Sequence, residues 1–162
     1  MEPIDKRAIV TALRAEVARE MGTLARAAKD AREAATHEES KPENDKDTRG
    51  LEAAYLAGAQ ATRVRELERV DNALEFLTLR AFDEGHAISQ TALVEVELDG
   101  VRQRFFVAPV CGGTRVKIGE ADIQVVTPPS PLGQALLGRT VGDVVELRTK
   151  QGLRAYEIID VA

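Results

Sequence analysis

Val94–Val107 reads VEVELDGVRQRFFV, and this stretch decides how the chain is organised. Val94, Val96 and Leu98 alternate with Glu95 and Glu97, the period of a strand with one apolar face. Asp99-Gly100 then gives a two-residue hairpin signal, because both central residues of a type I′ turn need positive φ. Val101–Val107 returns as a second strand.

Working toward the carboxyl end, Cys111-Gly-Gly113 marks another turn, and Thr114–Ile118 and Ile123–Thr127 read as short strands. Pro131 to Leu137 predicts a short helix, with proline near its start and Gly138 as its C-cap. Val144–Thr149 and Leu153–Val161 form a last hairpin around Lys150-Gln-Gly152. The expectation is a small α+β domain of antiparallel strands with one short helix.

Toward the amino end the period changes. From Asp5 to about Thr36, apolar residues recur at Val10, Leu13, Val17, Met21, Leu24, Ala28, Ala31 and Ala35, in steps of three or four. A second segment carries Ala53, Leu56, Val64, Leu67, Val70, Leu74 and Leu77. Each stripe is narrow and suits a coiled-coil seam. Each segment exceeds thirty residues, so at ~1.5 Å per residue an antiparallel hairpin of them would be about 50 Å long. Pro42 belongs in the first turn of the second helix, and Ser40-Lys-Pro-Glu43 fits a capping box. The turn is therefore expected at about residues 36–40. The domain reading is a hairpin over 1–82, with an acidic tip near 36–47, and a sheet domain over 83–162, the boundary falling near Phe82–Ala87.

Composition narrows the function. The chain has 162 residues, a net charge of −5 and no tryptophan. Residues 1–80 hold 14 basic and 16 acidic side chains, and residues 81–162 hold 8 and 11. Neither half carries the basic footprint of autonomous nucleic-acid binding. The lone Cys111 has no disulfide partner and no metal-ligand spacing, which points to a reducing compartment. No apolar run reaches the roughly 20 residues of a membrane helix, and MEPIDKRAIV has no signal-like apolar core. The expectation is a cytoplasmic protein. His37 and His86 lie in different segments without sequence partners. Gly112-Gly113 is too short for a phosphate cradle. A self-contained enzyme is hard to build from these parts.

The tip is different. Glu38, Glu39, Glu43, Asp45 and Asp47 fall within ten residues. One reading is structural: acids in a first helical turn complement its dipole, and Glu43 has a capping role. The other is functional. Exposed carboxylates on a rigid support can enter another protein's active site, where Mg²⁺ needs only one or two from any one source.

Val125–Ala162, VVTPPSPLGQALLGRTVGDVVELRTKQGLRAYEIIDVA, resembles the carboxyl-terminal domain of the bacterial transcript cleavage factors, the GreA/GreB family. The Ser-Pro-Leu-Gly-x-Ala-Leu-Leu-Gly run, the Gly-Asp before a strand and the terminal Tyr-Glu-Ile-Ile carry the likeness. The helical hairpin agrees with it. The resemblance implies an FKBP-like sheet that docks at the rim of the RNA polymerase secondary channel, with Ser130, Pro131, Leu132 and Gly133 as candidate docking residues. It implies a coiled coil that enters the channel, where tip carboxylates help retain a Mg²⁺ shared with the polymerase and activate water against the RNA 3′ end. Arginines along the first helix would then face RNA. No cofactor of the chain's own is implied, and any DNA association would be indirect. Prolyl isomerase activity is not expected, for want of an aromatic-lined pocket.

The family's tip has an Asp and, three residues later, Glu-Asn. Glu43-Asn44 matches the dipeptide, but Ser40 stands where the Asp belongs and Pro42 is unusual. The leading carboxylate is Glu43, with Glu39 second and Asp45 third; Glu43 and Glu39 are the candidate metal contacts. Either the acidic pair is rebuilt as Glu39/Glu43, or the factor occupies the channel without promoting cleavage.

Overall fold

A computed structural model describes residues 4–36, 49–83, 85–150 and 152–162. Helix α1 spans Lys6–Thr36 and α2 spans Arg49–Glu75. Strands β1 (Leu93–Leu98), β2 (Val101–Val107), β3 (Arg115–Ile118) and β4 (Ala121–Val126) follow. The short helix α3 (Pro131–Leu136) and strands β5 (Val144–Thr149) and β6 (Gly152–Val161) complete the order. The expected α+β class holds. Of the turn expected at 36–40, Thr36 is the last residue of α1, while residues 37–40 and a start of the second helix near Lys41 lie outside the described residues.

Contacts gather the chain into two compact units, Arg14–Asn72 and Met1–Leu13 with Ala73–Ala162. The expected boundary near Phe82–Ala87 marks the change of period, which the structure places between Glu75 and Leu93. The contact division falls elsewhere because Ile9, Leu13 and Leu74, at the helix ends, are buried.

Within Arg14–Asn72, the helices run antiparallel: Arg14 meets Asp71 while Glu20 meets Arg63. Val17 and Leu67 are buried, but Leu56 is 57% exposed. The stripe therefore loses its cover where alanines replace larger side chains, since alanine has little surface to bury. Arg14 grips Asp71 in a fork, Nε to Oδ1 at 2.7 Å and Nη2 to Oδ2 at 2.9 Å. This hydrogen bond, opposed by partial desolvation, holds the Asp71 carboxyl below its usual range. A depressed carboxyl stabilises the fold above its unfolded pKa of about 3.9, and that contribution disappears as pH falls through the folded value. Asp71→Asn is thus expected to cost about 0.5–1 kcal/mol at pH 7. Thermal melts monitored by helical circular dichroism should separate at pH 7 and converge near pH 2; equal melts at pH 7 would refute it.

In the other unit the six strands order as β3-β4-β2-β1-β6-β5. Four of the pairings are antiparallel; β2 with β4 is parallel, a departure from the all-antiparallel expectation. The β3–β4 hairpin turns so that β4, not β3, meets β2, and this reverses the relative direction. Asp99 and Gly100 have φ of 52° and 77°, as the hairpin signal required. One face of the sheet carries the main core, including Val94, Val96, Phe105, Leu136, Tyr156 and Ile158. The alternating residues of β1, β2 and β4 bury a second set: Leu93, Phe106, Ile123 and Val125. That second burial was not visible in the alternation, and it takes Glu95 with it, at 1% exposure.

Among the described residues, no helix is long and apolar enough to cross a membrane.

Candidate functional site

The loop between β4 and α3 is built around one carbonyl. Thr127 O accepts from Ser130 N at 2.9 Å and from Ser130 Oγ at 2.7 Å. Ser130 caps α3: its backbone is extended, φ −70° and ψ 152°, and its Oγ accepts from Gly133 N at 3.1 Å. Pro131 stands in the first turn, where its missing N–H costs nothing. The helix closes with Leu137 N donating to Gly133 O at 2.9 Å. Leu137 is the cap residue, one position before the expected Gly138, which follows in the left-handed region at φ 77°.

The four candidate docking residues therefore differ in placement. Gly133 is buried, and a Cβ there would lie 2.0 Å from Thr127 O. Leu132 is half-buried and packs against the main core. Ser130 spends its hydroxyl inside the loop. Pro131 is exposed, as are Pro129 and Gln134, whose Nε2 reaches Pro129 O at 3.3 Å. The outer surface of this loop is thus Pro129, Pro131 and Gln134. Sequence reasoning passed over Pro129 and reached Gln134 only as part of the short helix, where the step from Pro131 to Gln134 places those two residues on one face.

The loop is held in place from beneath. Gly138 N donates to Ile88 O at 2.9 Å, and Ile88 N donates to Arg139 O at 2.7 Å. Gly112 lies against Thr127, where a Cβ would sit 2.9 Å from its methyl group. The Cys111-Gly-Gly113 turn, with φ of 62° at Cys111, is therefore a packing element beside the loop.

The tip candidates Glu39, Glu43 and Asp45, with Ser40 and His37, lie outside the described residues. Among the described residues, no group of three or more His, Cys, Asp or Glu side chains could hold a metal. His86 is a local structural residue: its Nδ1 accepts from Asp83 N at 2.9 Å, and its ring meets Phe82 edge-on. Of the helix-one cations, Arg14 pairs with Asp71, Arg19 with Glu16 and Lys29 with Glu33. Those three serve the helices, and a contact with RNA would compete with these bonds.

Residues 116–162 match the family described as transcription elongation factor, GreA/GreB, C-term. Transcription elongation factor GreA of Rickettsia canadensis is 28% identical over 112 residues, which are 67% of this chain and 61% of that protein. GreA of Thermotoga maritima is 48% identical over 44 residues, 26% of this chain and 28% of that protein. The chain thus spans less than two thirds of the length of these curated relatives. Among solved structures, GreA factor homolog 1 (Gfh1) of Thermus thermophilus covers 92% of the chain, and 94% of its own is covered, at 24% identity and a TM-score of 0.39.

Proposed function

We propose that the chain is a member of the GreA/GreB family of transcription elongation factors, as its match over residues 116–162 and its GreA relatives support, and that it binds RNA polymerase and stimulates the cleavage of backtracked RNA. The supporting observation is the union, in one chain, of a sheet domain matched over 116–162 with two long antiparallel helices. The sheet domain docks, with the Pro129–Gln134 surface among its contacts. The helical hairpin enters the secondary channel. Its tip supplies carboxylates to the polymerase rather than a complete active site of its own. Glu43 leads, with Glu39 and Asp45 as the other donors. Glu43 and Glu39 would help hold a Mg²⁺ shared with the polymerase, which when bound would supply an acidified water and offset charge on the phosphate. The work is cytoplasmic, where the polymerase is.

Backtracked complexes carrying labelled RNA test the proposal directly. The intact chain should accelerate shortening of the transcript from its 3′ end. Glu43→Ala should lower the rate on the order of a hundredfold, the usual weight of a group that activates water, with binding retained. Absence of shortening by a bound wild-type protein would sink the cleavage reading.

Ser40 favours a second reading. With no acid three residues before Glu43, the tip occupies the channel and hinders nucleotide entry without promoting cleavage. The same assay separates the two: here elongation slows and the RNA keeps its length.

A further inference from the structure

The sheet ends in two edge strands, and they are built differently. β3, at one edge, has four residues, and its exposed pair, Arg115 and Lys117, are both cations. Short length and like charge keep such an edge from pairing with itself. β5, at the other edge, has six residues and carries charges of both signs. Helix α3 packs on its core face, where Leu136 and Val145 share the buried cluster, and Val144 stays 56% exposed.

The phase of β5 follows from the first bond between its approach and β6. Ile158 N donates to Asp143 O at 2.9 Å, and antiparallel pairs alternate between bonded and unbonded. Val145, Leu147 and Thr149 therefore turn their backbone groups to β6, with Val145 opposite Tyr156 and Leu147 opposite Arg154. Val144, Glu146 and Arg148 turn theirs to the open side, and their side chains stand on the exposed face. Among the described residues, neither Glu146 nor Arg148 forms a hydrogen bond or ion pair with another side chain.

We propose that β5 pairs with β5 of a second copy of this chain, antiparallel about a two-fold axis through Leu147. Charge selects both the occupant and the register. A two-fold pairing uses the same strand twice, so its outward residues must match one another. Centred on Leu147, it sets Glu146 against the second copy's Arg148, and Arg148 against the second copy's Glu146. Opposite charges directly across a strand pair attract. Val144 then meets the second copy's Lys150, whose aliphatic stem can cover it. Moving the axis to Glu146 sets two carboxylates face to face, and moving it to Arg148 sets two guanidiniums. The Leu147 register alone gives both Glu146 and Arg148 an opposite charge.

Sedimentation velocity on the full chain from about 1 to 100 µM tests this, since a small interface gives a Kd on the order of 10 µM. The wild type should pass from monomer to dimer across that range. Arg148→Glu should raise Kd about tenfold or more, because symmetry turns two attractive contacts into repulsive ones. Glu146→Arg should do the same. Combining Glu146→Arg with Arg148→Glu should return Kd to within about threefold of wild type, a rescue expected only of residues that face each other. Circular dichroism checks that each variant folds. Should a reversal unfold the chain, Glu146→Pro serves instead: it deletes an outward N–H that β6 does not use, and the dimer should be lost with the fold kept. A chain monomeric throughout, assemblies larger than a dimer, or a dimer indifferent to the reversals would each overturn the proposal. An edge reserved for a strand of some other protein would give the first of these results.

Discussion

Gly133→Ala is expected to cost the sheet domain about 3 kcal/mol, the upper range for a forced overpacking. The added Cβ would lie 2.0 Å from Thr127 O and 2.9 Å from Thr127 C, both backbone atoms. No rotamer change relieves a clash with backbone. Relief requires moving the carbonyl that holds Ser130 at both N and Oγ, and so the cap of α3 goes with it. A domain of this size should lose roughly 10 °C or more in Tm. Gly22→Ala makes an informative contrast. It sits in the middle of α1 with nothing within 4 Å of a new Cβ, and it should gain up to about 1 kcal/mol from helix propensity. A Gly133→Ala protein melting within a degree of wild type would mean the loop accommodates a side chain, and the packing argument would fall.

The second large effect is an asymmetry. Glu95 is 1% exposed and is held by Arg104 Nε at 2.8 Å and Arg102 Nη1 at 3.0 Å. Arg104→Leu deprives this buried carboxylate of its better partner, and the expected loss is about 3 kcal/mol. Arg102 remains, so the charge is not abandoned altogether. Glu95→Leu should cost much less, because it removes the group that needs compensation, and both arginines keep access to water. Adding Glu95→Leu to Arg104→Leu should restore most of the loss. Urea titrations of the three variants decide the matter. Equal losses for the two single variants would show that the pair acts as a mutual attraction rather than as a burial problem.

Much of this architecture was legible in the chain. The strand period at Val94–Leu98, the Asp99-Gly100 turn and the proline at the start of α3 are local signals, and local signals survive folding. What escaped was relational. Glu95 alternates with valines in the same way as Glu97, yet Glu95 is buried because β1 lies inside the sheet and its second face is covered as well. No residue near Glu95 announces that cover. The parallel β2–β4 pairing was hidden for a similar reason: the hairpin signals fix which strands are neighbours in sequence, not which edge the β3–β4 hairpin offers to β2. Among the docking candidates, the sequence identified the loop but not its division of labour. Gly133 and Ser130 build the loop, while Pro129, Pro131 and Gln134 present it. The tip acids were identified by composition and by resemblance, and their weight rests on the cleavage assay.

The strand order carries a further consequence, for biosynthesis. β1 pairs with β2 on one side and β6 on the other, and Leu93 and Ala162 exchange both backbone bonds at 2.9 Å. On the ribosome, β1 and β2 emerge early and can pair at once. The other edge of β1, with Leu93, Val94 and Val96 beside it, must wait for β3, β4, α3 and β5 before its partner is made. An unpaired hydrophobic edge invites pairing with other chains. Nascent chains stalled before Gly152 should therefore recruit holdase chaperones, and release of β6 should end that dependence.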